Sequence, residues 1–145
     1  MRAPSVVTLE AANAMVPRLR DLMDAQSGRR KDIEGRLDRL ARLLGKRPGA
    51  IHLDPADPPD VRDLKADITA RLEAYQTAWA ELEEIGAVLK DPKTGLVDFY
   101  GQVDGKLVWL CWRYGEDAVA HYHQLNEGFS ARRPIEDNLR SRHLN

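Results

Sequence analysis

Leu96-Val97-Asp98-Phe99-Tyr100-Gly101-Gln102-Val103 and Lys106-Leu107-Val108-Trp109-Leu110-Cys111-Trp112-Arg113 are two β-prone runs joined by Asp104-Gly105. An Asp-Gly pair between such runs is the strongest short-range sign of a tight hairpin, because both turn residues must adopt positive φ. With those two residues as the loop, the register follows. Val103 faces Lys106, Tyr100 faces Trp109, and Asp98 faces Cys111. Side chains alternate along a strand. Val97, Phe99, Val103, Val108, Leu110 and Trp112 therefore share an apolar face that should pack on helices. The other face carries Asp98, Tyr100, Gln102, Leu107, Trp109, Cys111 and Arg113, a mixed set that holds the candidate chemistry.

Upstream of the hairpin the pattern is helical. Thr8 is a natural N-cap, with Glu10 in the first turn. Positions 9, 12, 16, 19, 23, 26, 30, 33, 37, 40 and 44 follow 3/4 spacing, the period of a helix-packing seam. Pro17 predicts a kink or break, and Gly45 a C-terminal stop. Gln26 and Arg30 put polar groups in the seam. The preferred reading is that Arg30 lays its stem over a partner helix; the alternative is a polar layer that sets register or recognises an anion. Residues 46–60 hold four prolines and read as an irregular linker. Asp60 can cap a second amphipathic helix marked by Val61, Leu64, Ile68, Leu72, Tyr75, Trp79, Leu82 and Ile85, with Gly86 as its end. Residues 18–44 and 61–85 would each span about 40 Å, which favours an antiparallel helical hairpin.

The expected fold is α+β in one domain over 1–145. Long helices occupy 8–45 and 61–85, and a small antiparallel sheet occupies 87–113. Residues 114–135, with a short helix from Asp117 through Ala120, cover the sheet, and 136–145 form a tail. Two long helices bury only one stripe each against one another, so a homodimer is expected to cover the rest.

Composition narrows the function classes. The chain has 145 residues, 31% of them charged, and one cysteine. A lone cysteine excludes an internal disulfide framework and fits a reducing compartment. No apolar run reaches the ~18 residues of a membrane span, and Met1–Val7 lacks the apolar core of a signal peptide. A cytoplasmic protein with no membrane association is expected. Residues 1–50 hold eleven Lys/Arg and six Asp/Glu, whereas residues 51–145 hold eleven and seventeen. A basic helix at 18–47 could bind nucleic acid. Acidic residues interrupt it throughout, so a basic helix lying beside an acidic one is preferred.

Several further residues carry a resemblance. They are Thr8-Leu9-Glu10-Ala11-Ala12-Asn13-Ala14, Gly95-Leu96-Val97-Asp98-Phe99, Leu110-Cys111-Trp112 with Gly115-Glu116, and His123 followed by Gly128-Phe129 and Arg132. In this order and spacing they resemble the domain of unknown function 2203 family of small bacterial proteins, from about Thr8 to Ile135. Tyr122-His123 stands where Trp-His is typical, and Tyr100 where proline often follows Asp-Phe. The resemblance implies a helical front and a β-containing back. It implies no activity, and no catalytic or binding residue carries over from it.

Asp98, Cys111, Glu116, His123 and Arg132 form the candidate ligand or metal site. With His121 they include enough donor types for zinc or another divalent ion, although no tight ligand motif is present. His121 and His123 point the same way only on a strand. Cys111 as a nucleophile is disfavoured, since the facing carboxylate raises its pKa and a cysteine between Leu110 and Trp112 reads as a small buried apolar residue. Arg132 or Arg133 is expected to pair with Glu116 or Asp98, pinning the C-terminal segment to the sheet; the alternative is an anion site. Tyr100 and Trp109 form a cross-strand pair or, if exposed, an aromatic contact surface. No cofactor is expected beyond a possible divalent metal. The leading expectation is a non-enzymatic interaction or regulatory protein, with a protein partner in addition to its own second copy. The second is a metal- or small-ligand-binding protein, and the third is nucleic-acid binding by the basic helix.

Overall fold

The computed structural model describes residues 5–135. The expected tail at 136–145 lies outside them. The element order is α1 (Leu9–Ala14), α2 (Val16–Leu44), α3 (Pro59–Ala78), α4 (Glu81–Ile85), then β1 (Ala87–Asp91), β2 (Leu96–Val103), β3 (Lys106–Arg113), β4 (His121–His123) and β5 (Arg133–Pro134). A short 3-10 turn, Phe129–Ala131, precedes β5. The fold is α+β. No helix among the described residues is long and apolar enough to cross a membrane.

The chain forms two compact units, one of residues 5–23 with 81–135 and one of Asp24–Ala80. In the sheet-bearing unit, five antiparallel strands lie in chain order, β1-β2-β3-β4-β5. Asp104 (φ 55°) and Gly105 (φ 78°) both take positive φ, which suits the right-handed twist of the flanking strands. The register is the expected one: Val103 pairs with Lys106, Tyr100 with Trp109 and Asp98 with Cys111. The apolar face is buried throughout, Val97, Phe99 and Trp112 completely. At Gly101 a Cβ would stand 2.6 Å from Leu110 Cδ1, so only glycine lets this side chain lie flat across β2. Beyond the end of β1, the Val7 amide donates to the Tyr100 carbonyl (2.8 Å).

Thr8 caps α1 as expected, its hydroxyl accepting from the Ala11 amide at 3.0 Å. The break near Pro17 falls at Met15, and Pro17 takes an early position of α2, where its missing N–H costs nothing. The short helix expected from Asp117 to Ala120 is absent. Residues 117 and 118 form a bend, and the Asn13 side chain pins Val119: its Oδ1 accepts from the Val119 amide (2.7 Å) and its Nδ2 donates to the Val119 carbonyl (3.3 Å). One side-chain amide thus takes both backbone groups a helix would need.

In the helical unit, α2 and α3 are antiparallel. Leu40, Val61, Leu64 and Ile68 form its core, and farther along Arg30 Nη2 donates to the Tyr75 hydroxyl at 2.8 Å. The guanidinium also lies over that ring, 5.7 Å from its centroid. The helix expected over 61–85 starts two residues earlier and divides. α3 stops at Ala78, so it has 20 residues against 29 in α2 and the two lengths are not matched. The cause is in the seam. Gln26, 1% exposed, donates from Nε2 to the Tyr75 carbonyl at 2.8 Å. A continuous helix would give that carbonyl to the Trp79 amide, which instead bonds the Gln76 carbonyl at 3.3 Å. The last turn tightens and the helix ends.

Basic and acidic side chains meet within the fold as preferred from the sequence. Arg36 bonds Asp67 (2.7 Å) and Arg71 bonds Asp67 (3.1 Å) and Asp32 (3.3 Å). Arg47 reaches Glu34 and Asp38.

Candidate functional site

The mixed face of the sheet has a buried centre. β2 supplies Asp98, β3 supplies Cys111 and β4 supplies His123, at 1%, 0% and 3% exposure. β4 is a strand, so His121 and His123 do point the same way, with Cys111 paired to His121 and Trp109 to His123. One donor atom each from Asp98, Cys111 and His123 lies within 4.8 Å of the other two. His123 Nε2 is 2.8 Å from Asp98 Oδ2. His123 Nδ1 lies 3.0 Å from the Gln124 carbonyl oxygen. A carbonyl can only accept, so Nδ1 carries the proton and donates it. At 2.8 Å a proton lies between Nε2 and the carboxylate oxygen, and the contact is a hydrogen bond. The second carboxylate oxygen, Asp98 Oδ1, is buried with no hydrogen-bond partner among the described residues.

The electrostatics follow from burial. Desolvation raises the Asp98 carboxyl above its usual range, against the opposing pull of His123 and Cys111. Burial, with the Asp98 charge adding to it, pushes the Cys111 thiol up to about 12. Such a thiol is protonated at neutral pH and is a poor free nucleophile.

Glu116 and Arg132 form the outer layer. Arg132 grips both Glu116 oxygens, Nη1 to Oε1 at 3.0 Å and Nη2 to Oε2 at 2.6 Å. Burial works to raise the Glu116 pKa, but the bonds from Arg132 and the Arg113 amide outweigh it and hold the carboxyl below its ordinary value. The Arg132 guanidinium stacks on Phe129, 4.1 Å from the ring centroid, and Nη1 points to Cys111 Sγ at 3.8 Å. Arg133 pairs instead with Glu127. Glu116 therefore binds Arg132 rather than joining the donor group. His121 stays outside that group too, and its buried Nδ1 has no partner among the described residues. Burial, then the Arg132 charge, lowers its pKa.

Tyr100 and Trp109 are neighbours across the strands at 5.4 Å between ring centroids. Both are half-buried. Lys90 Nζ sits 4.0 Å from the Trp109 ring centroid. Neither the Lys90–Trp109 contact nor the Gln124 carbonyl has a signature in the sequence, since no side-chain pattern marks a backbone oxygen.

Comparison with protein-family models matches residues 5–135 to the family described as Uncharacterized conserved protein (DUF2203). The chain belongs to this family. All five candidate residues lie inside the matched DUF2203 region. No curated protein and no solved structure matches the chain.

Proposed function

We propose that this DUF2203 protein binds one divalent metal ion of the zinc class through Asp98, Cys111 and His123. The observation that carries the reading is the convergence of three buried donors, one atom each from Asp98, Cys111 and His123 lying within 4.8 Å of one another. Nδ1 of His123 is committed to a backbone carbonyl, which leaves Nε2 directed at Asp98 Oδ2, 2.8 Å away. A histidine whose other nitrogen donates to a carbonyl is the usual support of a metal ligand. The donor types support the choice of ion, since imidazole nitrogen, carboxylate oxygen and thiolate sulfur are all zinc ligands. The unpartnered Asp98 Oδ1 adds a further acceptor at the same place. A dipositive ion would balance the charges of one carboxylate and one thiolate.

In this reading the chain is a non-enzymatic binding or regulatory protein. The test is metal content and thermal unfolding of protein prepared without a histidine tag. One equivalent of zinc should bind, and free zinc at a hundred times Kd should stabilise the fold by about 2.7 kcal/mol. Cys111→Ser and His123→Ala should abolish the effect. Protein that takes up no zinc, and whose melting ignores both zinc and chelator, would overturn the proposal.

A further inference from the structure

Asp98, Cys111 and His123 are closed to solvent. A metal site needs an entry path, so an ion reaches these donors only if part of the chain moves. The segment from residue 124 to residue 134 is the part built to do so. Both of its ends touch the donors. The Gln124 carbonyl accepts from His123 Nδ1 at 3.0 Å, and Arg132 Nη1 points to Cys111 Sγ at 3.8 Å. Between those contacts the segment has no core of its own. No residue from 124 to 134 is fully buried; Phe129 is half-buried and Leu125 is exposed. Burial resumes at Ile135, whose amide donates to the Ala120 carbonyl at 2.9 Å.

The fastenings of this segment are polar. β5 is two residues long, and Pro134 has no amide to donate. Glu127 is used within the segment, on the Gln124 amide and on Arg133. The fork from Arg132 to Glu116 is the charged tie to the rest of the sheet-bearing unit. Its far end is firm, because the Glu116 carbonyl accepts from Nε1 of the fully buried Trp112 at 3.0 Å. A segment with few buried apolar contacts opens at lower free energy than the core it lies on. We propose that residues 124–134 form a strap, latched by Arg132 on Glu116, which opens while the rest of the sheet stays folded and so admits a metal ion to Asp98, Cys111 and His123. What the strap admits rests on the metal reading; that it opens does not.

Cys111 is the only cysteine, so a thiol reagent reports opening at one atom. The full chain is alkylated with iodoacetamide along a urea series, with and without excess zinc, and followed by mass. Labelling should rise with urea much less steeply than unfolding of the sheet does, because a local opening exposes little surface. Glu116→Gln leaves Arg132 in place and removes the charged fork, so it should speed labelling about tenfold with the same shallow slope. Phe129→Ala removes the ring on which that guanidinium stacks; it should act in the same direction and keeps the test open if the first variant fails to fold. Parent labelling that follows the full urea slope of unfolding would overturn the strap, as would variants that label at the parent rate. Zinc should protect the thiol in parent and variants alike. Faster labelling in the variants with no protection by zinc would leave the strap standing and remove the metal reading. Protection by zinc with no acceleration in either variant would do the reverse.

Discussion

Asp67 on α3 and Asp98 on β2 are the same chemical group in opposite settings. Asp67 lies at the surface of the helical unit between Arg36 and Arg71, and the Arg36 hydrogen bond leads in holding its pKa down. Asp98 lies at the centre of the sheet with one oxygen unpartnered, and burial holds its pKa up. The contrast teaches where charge is costly in this molecule. Around Asp67 the ion pairs lie near water, where screening makes each worth little. In the sheet, Asp98, Cys111 and His123 are almost wholly withdrawn from water, and every unsatisfied atom counts.

The sharpest way to break this comparison is to cut into each core. Phe99→Ala should cost about 3–5 kcal/mol and Leu40→Ala about 2–5 kcal/mol in urea unfolding. Tryptophan fluorescence can separate the effects, since Trp109 and Trp112 are on β3 and Trp79 closes α3. If Leu40→Ala shifts the transitions seen from both places equally, the two units do not unfold separately.

Next in size is the buried amide of the helical unit. Gln26→Ala should cost about 1–3 kcal/mol, because the Tyr75 carbonyl loses its donor inside the core. It should also let α3 run on past Ala78, read as a gain in helical circular dichroism. A stability loss with no gain in helix would refute the account of why α3 stops.

The smallest effect is the pH response of the two aspartates. The Asp67 pKa is depressed below 3.8. Its contribution is therefore present above that value and is lost as pH falls through the folded value. Asp98 has the reverse sign. Its pKa is raised above 3.8, so the contribution is fully present below that value and is lost as pH rises through the folded one. Acid titrations of Asp67→Asn and Asp98→Asn, each compared with the parent, should deviate in opposite directions. Salt should weaken only the Asp67 effect.

Much of this was legible in the residues. The Asp-Gly turn set the pairing of Asp98 with Cys111, and alternation assigned each face. The 3/4 spacing found the buried stripe of α1 and α2, Gln26 included. Convergence of His123 on Asp98 was not deducible, because β4 is three residues long and carries no period of its own. The two misread segments share a cause. Side-chain amides far away in sequence, Asn13 and Gln26, take backbone groups at Val119 and Tyr75. Local propensity cannot register a competitor 106 or 49 residues distant.

The short β4 strand also bears on how the protein is made. Chains tend to fold from the N-terminal side as they leave the ribosome. Asp98 and Cys111 sit on one hairpin and can meet as soon as that hairpin emerges, whereas His123 and Arg132 are translated later. Until they arrive, the nascent hairpin presents an uncovered thiol and carboxylate to the surrounding fluid. Capture of an ion or oxidation of the sulfur at that moment would be decided by the pace of synthesis of about twenty further residues.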